Sequence, residues 1–259
     1  MKKQIKEAAN KQFAETASAY SNSAIHAKGA DLGLILELLS DIKDKKALDI
    51  ATGAGHTAIT LAKAGAEVVA TDITVEMLEQ TQINAKKESL SNVTCKLADA
   101  EDLRFADNSF DIVTCRIAAH HFANPNKFVA EVARVLKKNG SFILIDNISP
   151  SNSKLAKAMN KIEKLRDPSH VEAYNVETWF KWIIGARLEL FYLNRFKRNK
   201  LYSTWLNRAK TSKENTKFLE DYIQLLGREE KEYFDIVYKD DKIKSLSHEV
   251  ILLLAKKTS

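Results

Sequence analysis

The residues most suited to chemistry lie at 47–58, Ala-Leu-Asp-Ile-Ala-Thr-Gly-Ala-Gly-His-Thr-Ala, an apolar run that ends in a glycine turn and opens a helix. Gly53 and Gly55 carry no Cβ, so a nucleotide-like ligand can approach the backbone there. Asp49 precedes them by four residues and sets the sign of the site. A diphosphate would be repelled by its carboxylate, whereas a ligand carrying an ammonium and a sulfonium would be attracted. Two unit charges at 4 Å interact by about 4 kcal/mol at an effective dielectric near 20, so that sign matters.

Gly53-x-Gly55-x-x-Ala58 also satisfies the dinucleotide fingerprint, and Asp72 closes the next apolar run. Asp49 argues against that reading and for the amino-acid end of S-adenosylmethionine; a purely structural role, capping backbone amides, is the alternative. Asp72 is placed either to accept from ribose hydroxyls or to cap a helix opening near Thr74. A third acidic element, Asp99-Ala100-Glu101-Asp102, follows the next apolar run, where a carboxylate can accept from an adenine amino group. Three acids at the ends of three successive strands describe one ligand better than three unrelated loops, because ligands of open α/β sheets bind at the strand ends.

The elements that must hold these residues alternate. Strands are expected at Ala47–Ala51, Glu67–Thr71, Val93–Leu97, Phe110–Cys115 and Ser141–Asp146, with helices at 56–64, 75–87 and 126–137. This order implies right-handed crossovers and a doubly wound, mostly parallel sheet of Rossmann-like type. Asn139-Gly140 is expected to break the last helix. Residues 1–39 read as helical, with Ile5, Ala9 and Phe13 at four-residue spacing and a second run at Leu32–Leu39. After Pro150 come a helix at Ser153–Leu165, an aromatic-rich stretch that reads first as packing, a strand at Arg187–Phe196 and an apolar tail from Glu249 to Ala255.

Composition bounds the rest. The chain has 259 residues, 45% of them hydrophobic, enough for one large domain or a domain with a cap. Its formal charge of +6 includes a run, Arg195, Lys197, Arg198 and Lys200, that reads as a solvated face before it reads as a polyanion site. Two cysteines, Cys95 and Cys115, fall in strand-like runs and are expected to be buried and reduced. The start, Met1 to Glu7, lacks the apolar core of a signal peptide, and no apolar stretch is long enough to span a bilayer. A cytoplasmic protein is expected.

Four ordered blocks carry a family resemblance: Leu48 to Gly55, Val69-Ala70-Thr71-Asp72, Asp99 to Leu103 with Ser109-Phe110-Asp111, and Arg134-Val135-Leu136-Lys137. Together they resemble the class I S-adenosylmethionine-dependent methyltransferases, in the branch of the ubiquinone and menaquinone biosynthesis enzymes. The resemblance covers residues 40–150. It implies that Asp49, Ala51, Gly53 and Gly55 hold the methionine part, Asp72 and Ile73 the ribose, and Asp99 and Ala100 the adenine. The stretch after the fourth strand, from Arg116 to Phe122, would line both cofactor and acceptor, which adds Arg116 to the cofactor residues. Ala51 departs from the pattern, standing where a glycine is frequent, as do Arg104 and Lys138-Asn139, where proline and Pro-Gly are usual.

The resemblance also implies a seven-stranded sheet whose last strand, at 248–256, inserts antiparallel. Residues 1–39 would then form a helical lid, 40–150 the cofactor-binding core, and 151–259 an aromatic, helical cap with the last two strands. Candidate acceptor-side residues are Tyr20, His26, His120, Arg166, His170 and Trp179, and His121 is the candidate base. His120-His121 lacks metal-ligand spacing, so no metal is expected. The leading expectation is methyl transfer to a small molecule. The competing readings are an RNA or protein methyltransferase, an NAD-dependent oxidoreductase, which Asp49 disfavours, and a cofactor-binding protein without catalysis. The acceptor and the oligomeric state are not fixed by the residues.

Overall fold

A computed structural model of the chain describes residues 2–21 and 29–258. Helices α1 (Lys2–Ser21) and α2 (Ala30–Leu39) precede an alternating run. That run is β1 (Lys46–Ile50), α3 (His56–Lys63), β2 (Glu67–Asp72), α4 (Val75–Lys87), β3 (Val93–Leu97), β4 (Phe110–Arg116), α5 (Pro125–Val135) and β5 (Leu136–Asn147). Then come α6 (Ser153–Arg166), α7 (Val176–Gly185), β6 (Leu188–Leu201), α8 (Tyr202–Ala209), α9 (Lys213–Leu225), α10 (Arg228–Tyr233), β7 (Val237–Lys239) and β8 (Lys242–Lys257).

The strands form one sheet in the order β3-β2-β1-β4-β5-β8-β6, with β7 pairing on β8. β1 to β5 are parallel, and β8 runs antiparallel to both β5 and β6. The fold class read from the alternation is thus the observed one. Eight strands replace the expected seven because the three-residue β7 doubles back on β8.

Period-two alternation loads both faces of the sheet, as a parallel sheet covered on both sides requires. Leu48, Ile50, Val113 and Leu144 pack with Phe128 and Val132 of α5. Ala47, Val68, Ile112 and Ile145 pack on the other side with Ile35 of α2 and Leu61 of α3. A third cluster belongs to the helices after β5, where Met159, Ile162, Trp205, Leu219 and Phe234 surround Leu246 of β8.

Three expectations change in detail. Helix α5 ends at Val135, because Leu136 already pairs with Phe110. Asn139-Gly140 therefore does not stop a helix. It sits inside β5, where the register shifts between Phe110 and Ile112 and Asn139 has φ 63°. Cys115 is buried as expected, but Cys95 is only half-buried, and both are free thiols. Among the described residues no helix is long and apolar enough to cross a membrane.

Candidate active site

The glycine turn is built from both sides. β1 carries Asp49 into register with Ala70 of β2 and Thr114 of β4. The chain then needs left-handed backbone at Ala51 (φ 51°), Gly53 (φ 56°) and Gly55 (φ 85°). Such a conformation is nearly free for glycine and strained for alanine, so Ala51 holds its place at some cost. A Cβ at Gly55 would lie 2.7 Å from Thr81 Cγ2, so α4 packs directly under the turn. From the same helix Thr81 Oγ1 donates to the Gly53 carbonyl at 2.8 Å, and Asn84 Nδ2 donates to the Ala54 carbonyl at 2.9 Å. Sequence reading missed both. Their three-residue spacing on one face of the helix was the available signal.

The carboxylates meet at the strand ends. Asp49 is 1% exposed; it accepts from Thr52 Oγ1 at 2.6 Å and from Thr114 Oγ1 at 2.7 Å. Asp72 accepts from the Gly53 amide at 2.9 Å and the Thr74 amide at 3.0 Å, which ties the turn to β2. Asp72 thus holds backbone amides ahead of α4, whose N-cap is Thr74 and not Asp72. Burial pushes both carboxyls up to about 6, against the pull of these donors. A cation entering the site would restore their charge.

Both acids line a cavity of about 110 Å³, together with Ala51, Gly53, Ile73, Asp99, Ala100 and Arg116. Of the residues expected around a cofactor, Gly55 alone is not on the wall; it shapes the turn from behind. Helix α1 crosses the same cavity with Lys6, Ala9 and Phe13. Lys6 Nζ lies 2.6 Å from Asp99 and 3.0 Å from Glu101, so the acid expected to meet an adenine pairs here with α1. Arg116 turns from the cavity toward α2, where Nε and Nη2 donate to Asp31 at 2.7 and 3.0 Å. Burial would raise Asp31, but Arg116 and then Arg198 outweigh it and hold the carboxyl below its usual range.

Beyond β4 the chain turns through Ile117, a β-branched residue at φ 57°, into the histidine pair. His121 lines the same cavity, and its Nδ1 lies 3.1 Å from Ser169 Oγ. His120 points elsewhere, with Nδ1 2.5 Å from Asp146 Oδ1 and its backbone amide donating to the same carboxylate. Burial alone would lower His120, but Asp146 outweighs it and raises it. His121 is pushed down to about 4 by burial and then by the neighbouring His120 charge. Two adjacent imidazoles are thus pushed in opposite directions.

The other acceptor-side candidates divide. Arg166 and His120 join a second cavity beside the first. His170 does not reach either cavity; its Nε2 lies 2.8 Å from Asn160 Oδ1 and it is 1% exposed, a structural histidine. Trp179 is also 1% exposed and packs against Trp182 and the sheet, as aromatic bulk in the core. Tyr20 falls on the last turn of α1, and His26 lies outside the described residues.

Comparison with known proteins decides the family. A family model described as a methyltransferase domain matches residues 48–144. The uncharacterized methyltransferase YcgJ of Bacillus subtilis is 34% identical over 224 residues, which cover 86% of this chain and 88% of that protein. This chain belongs to the methyltransferase family. The crystal structure of YcgJ superposes on this methyltransferase with a TM-score of 0.86 at 32% identity, over 89% of this chain and 99% of that one. A demethylmenaquinone methyltransferase of Renibacterium salmoninarum is 31% identical over 118 residues, 46% of this chain and 48% of that protein. At the level of fold alone, geranyl diphosphate C-methyltransferase of Streptomyces coelicolor has a TM-score of 0.59 at 12% identity, over 89% of this chain and 78% of that one. That enzyme was solved with Mg2+, geranyl diphosphate and S-adenosyl-L-homocysteine.

Proposed function

We propose that this methyltransferase takes its methyl group from S-adenosylmethionine and delivers it to a small-molecule acceptor. One observation carries the reading: Asp49, Asp72 and Asp99, from three successive strand ends, line a single cavity beside a left-handed glycine turn. Asp49 and its two threonine donors would face the ammonium of the amino-acid end, Asp72 the ribose hydroxyls, and Asp99 with the Ala100 amide the adenine. A bound sulfonium supplies an already activated methyl group, so the protein's task is mainly alignment.

The chain's own residues contribute position and exclusion of water. Phe13 of α1 packs edge-on against the His121 ring, with centroids 4.9 Å apart, and closes the cavity between turn and lid. His121, neutral at physiological pH, presents an acceptor for the hydroxyl or amine of the incoming molecule, while Ser169 and Asp167 fix its ring through Oγ contacts of 3.1 and 2.6 Å. A group with pKa near 4 is better suited to accepting that hydrogen bond than to retaining the proton. In this reading the helices after β5 serve as the acceptor-side cap, and α1 with α2 as the lid.

Parallel calorimetric titrations with S-adenosylmethionine, S-adenosylhomocysteine and NAD test the proposal. The two sulfur compounds are expected to bind and NAD is not. Binding of NAD with neither sulfur compound would overturn it.

A further inference from the structure

The cavity beside the cofactor site has a composition that nothing in methyl transfer itself requires. It encloses about 40 Å³ and shares Phe13, Ile117 and His121 with the first cavity. Its outer wall is formed by Arg166 of α6, Arg198 and Lys200 of β6, and Arg208 and Trp205 of α8. Among the described residues, no Asp or Glu lines it.

The carboxylates stand one layer back and are shared. Asp31 is shared between Arg116 at 2.7 Å and Arg198 at 3.0 Å. Glu163 is shared among Lys200 at 2.8 Å, His248 at 2.6 Å and Arg166 at 3.5 Å. Asp167 lies 3.9 Å from Arg166, and Asp146 is committed to His120. Among the described residues, then, Arg198 shares its carboxylate with Arg116, and Lys200 shares its own with Arg166 and His248. Residues 18–28 contain no Asp or Glu, so that stretch adds no counter-charge.

The crowding is felt by its members. Burial, then Arg166 and Arg208, push Lys200 down to about 8 despite Glu163. Trp205 is 1% exposed, and its Nε1 donor has no hydrogen-bond partner among the described residues. Buried cations on shared carboxylates, beside a buried donor with no described acceptor, are the arrangement that an entering anion completes.

We infer that this cavity binds an anionic group, a carboxylate or a phosphate ester, borne by the methyl acceptor, so that the acceptor is a small organic anion. The inference rests on the proposed methyl transfer, since it places the acceptor's body against His121 and the methyl donor. A space of 40 Å³ holds about three waters, room for one such group. Arg198 and Arg208 supply planar donor forks, the geometry best matched to carboxylate and phosphate oxygens.

Titration of the full chain, saturated with S-adenosylhomocysteine, against benzoate, phenyl phosphate and neutral benzamide tests this. At least one of the two anions is expected to bind and benzamide is not; the tighter anion identifies the group the cavity takes. Arg198→Gln and Arg208→Gln should each weaken that anion by about tenfold or more, the loss expected of a charge-assisted contact. Their affinity for S-adenosylhomocysteine should stay within about twofold of the parent, which shows that the fold and the first cavity survive. Benzamide binding as well as the anions, no anion binding, or anion affinity unchanged in both variants overturns the inference while leaving the cofactor assignment standing. Failure of S-adenosylhomocysteine to bind the parent chain overturns the cofactor assignment and this inference with it.

Discussion

The two cavities that meet at His121 are built by opposite rules. The first is made of strand ends, turns and helix starts from residues 49 to 123, with α1 alone among the described elements reaching in from outside. Its polarity is acidic, and Asp49 and Asp72 are held largely by nearby hydroxyl and amide donors such as Thr52, the Gly53 amide and the Thr74 amide. The second is made of side chains from α1, the turn after β4, α6, β6 and α8, elements spread over some two hundred residues. Its polarity is basic, and it is held by tertiary ion pairs. On the proposed function, the contrast makes donor recognition a property of backbone topology, and acceptor recognition a property of packing between the sheet and the later helices.

The largest test of that contrast strikes the packed side. Glu163→Gln leaves Lys200, His248 and Arg166 sharing a buried region without their common carboxylate. We expect a loss of about 3–5 kcal/mol in urea denaturation, the cost of breaking a buried pair. A loss below about 1 kcal/mol would show that the basic cluster tolerates its own repulsion, contrary to the contrast drawn here.

On the backbone side, Asp72→Ala should weaken S-adenosylhomocysteine by at least about 1–3 kcal/mol in calorimetry, from lost charge-assisted hydrogen bonds and a loosened Gly53 amide. Unchanged affinity would remove the ribose assignment.

The pH dependence should follow the same side. Asp49 and Asp72 sit near 6 in the free protein, above their usual value, so both take up protons as pH falls through 6. A cationic ligand binds the ionised forms and must displace those protons. Affinity for S-adenosylmethionine should therefore be highest near pH 7 and fall below 6, by about one to two decades per pH unit for one or two linked groups. A flat profile down to pH 5 would show that neither acid faces the ligand's charge.

The smallest effect is expected at Ala51. Ala51→Gly relieves a left-handed alanine but adds freedom to the unfolded chain, so a net gain below about 1 kcal/mol is expected in thermal unfolding. A net loss would mean that the alanine methyl itself packs usefully in the turn.

Legibility in the sequence followed the same division. Asp49, Asp72 and Asp99 could be found because each ends an apolar run, and period-two burial fixes which way a strand-end residue faces. The alternation of strands and helices was equally local. The basic run of β6 misled, since no charge run announces which members turn inward. Its parity decided it: Arg195 and Lys197 pair outward with Glu249 and Asp235, whereas Arg198 and Lys200 turn in to Asp31 and Glu163. Trp179 and His170 misled for a related reason, because an aromatic or imidazole in a helical segment is recognised as core only once its neighbours are known. Lys6 gave no sign at all; its partners Asp99 and Glu101 lie more than ninety residues away.

The placement of β8 bears on how the molecule is made. Its residues 242–257 lie between β5 and β6, yet β5 ends at Asn147 and almost a hundred residues separate the two paired strands. During folding, the outer edge of β5 with its Phe142, Ile143, Leu144 and Ile145 stays open until the α6–α10 helices have been spanned and β8 returns. Closing so long a loop is entropically slow to be rewarded, and an apolar strand edge left waiting is a template for pairing between chains. The rate at which β8 docks, more than the final stability of the sheet, therefore governs the competition between refolding and aggregation at high protein concentration.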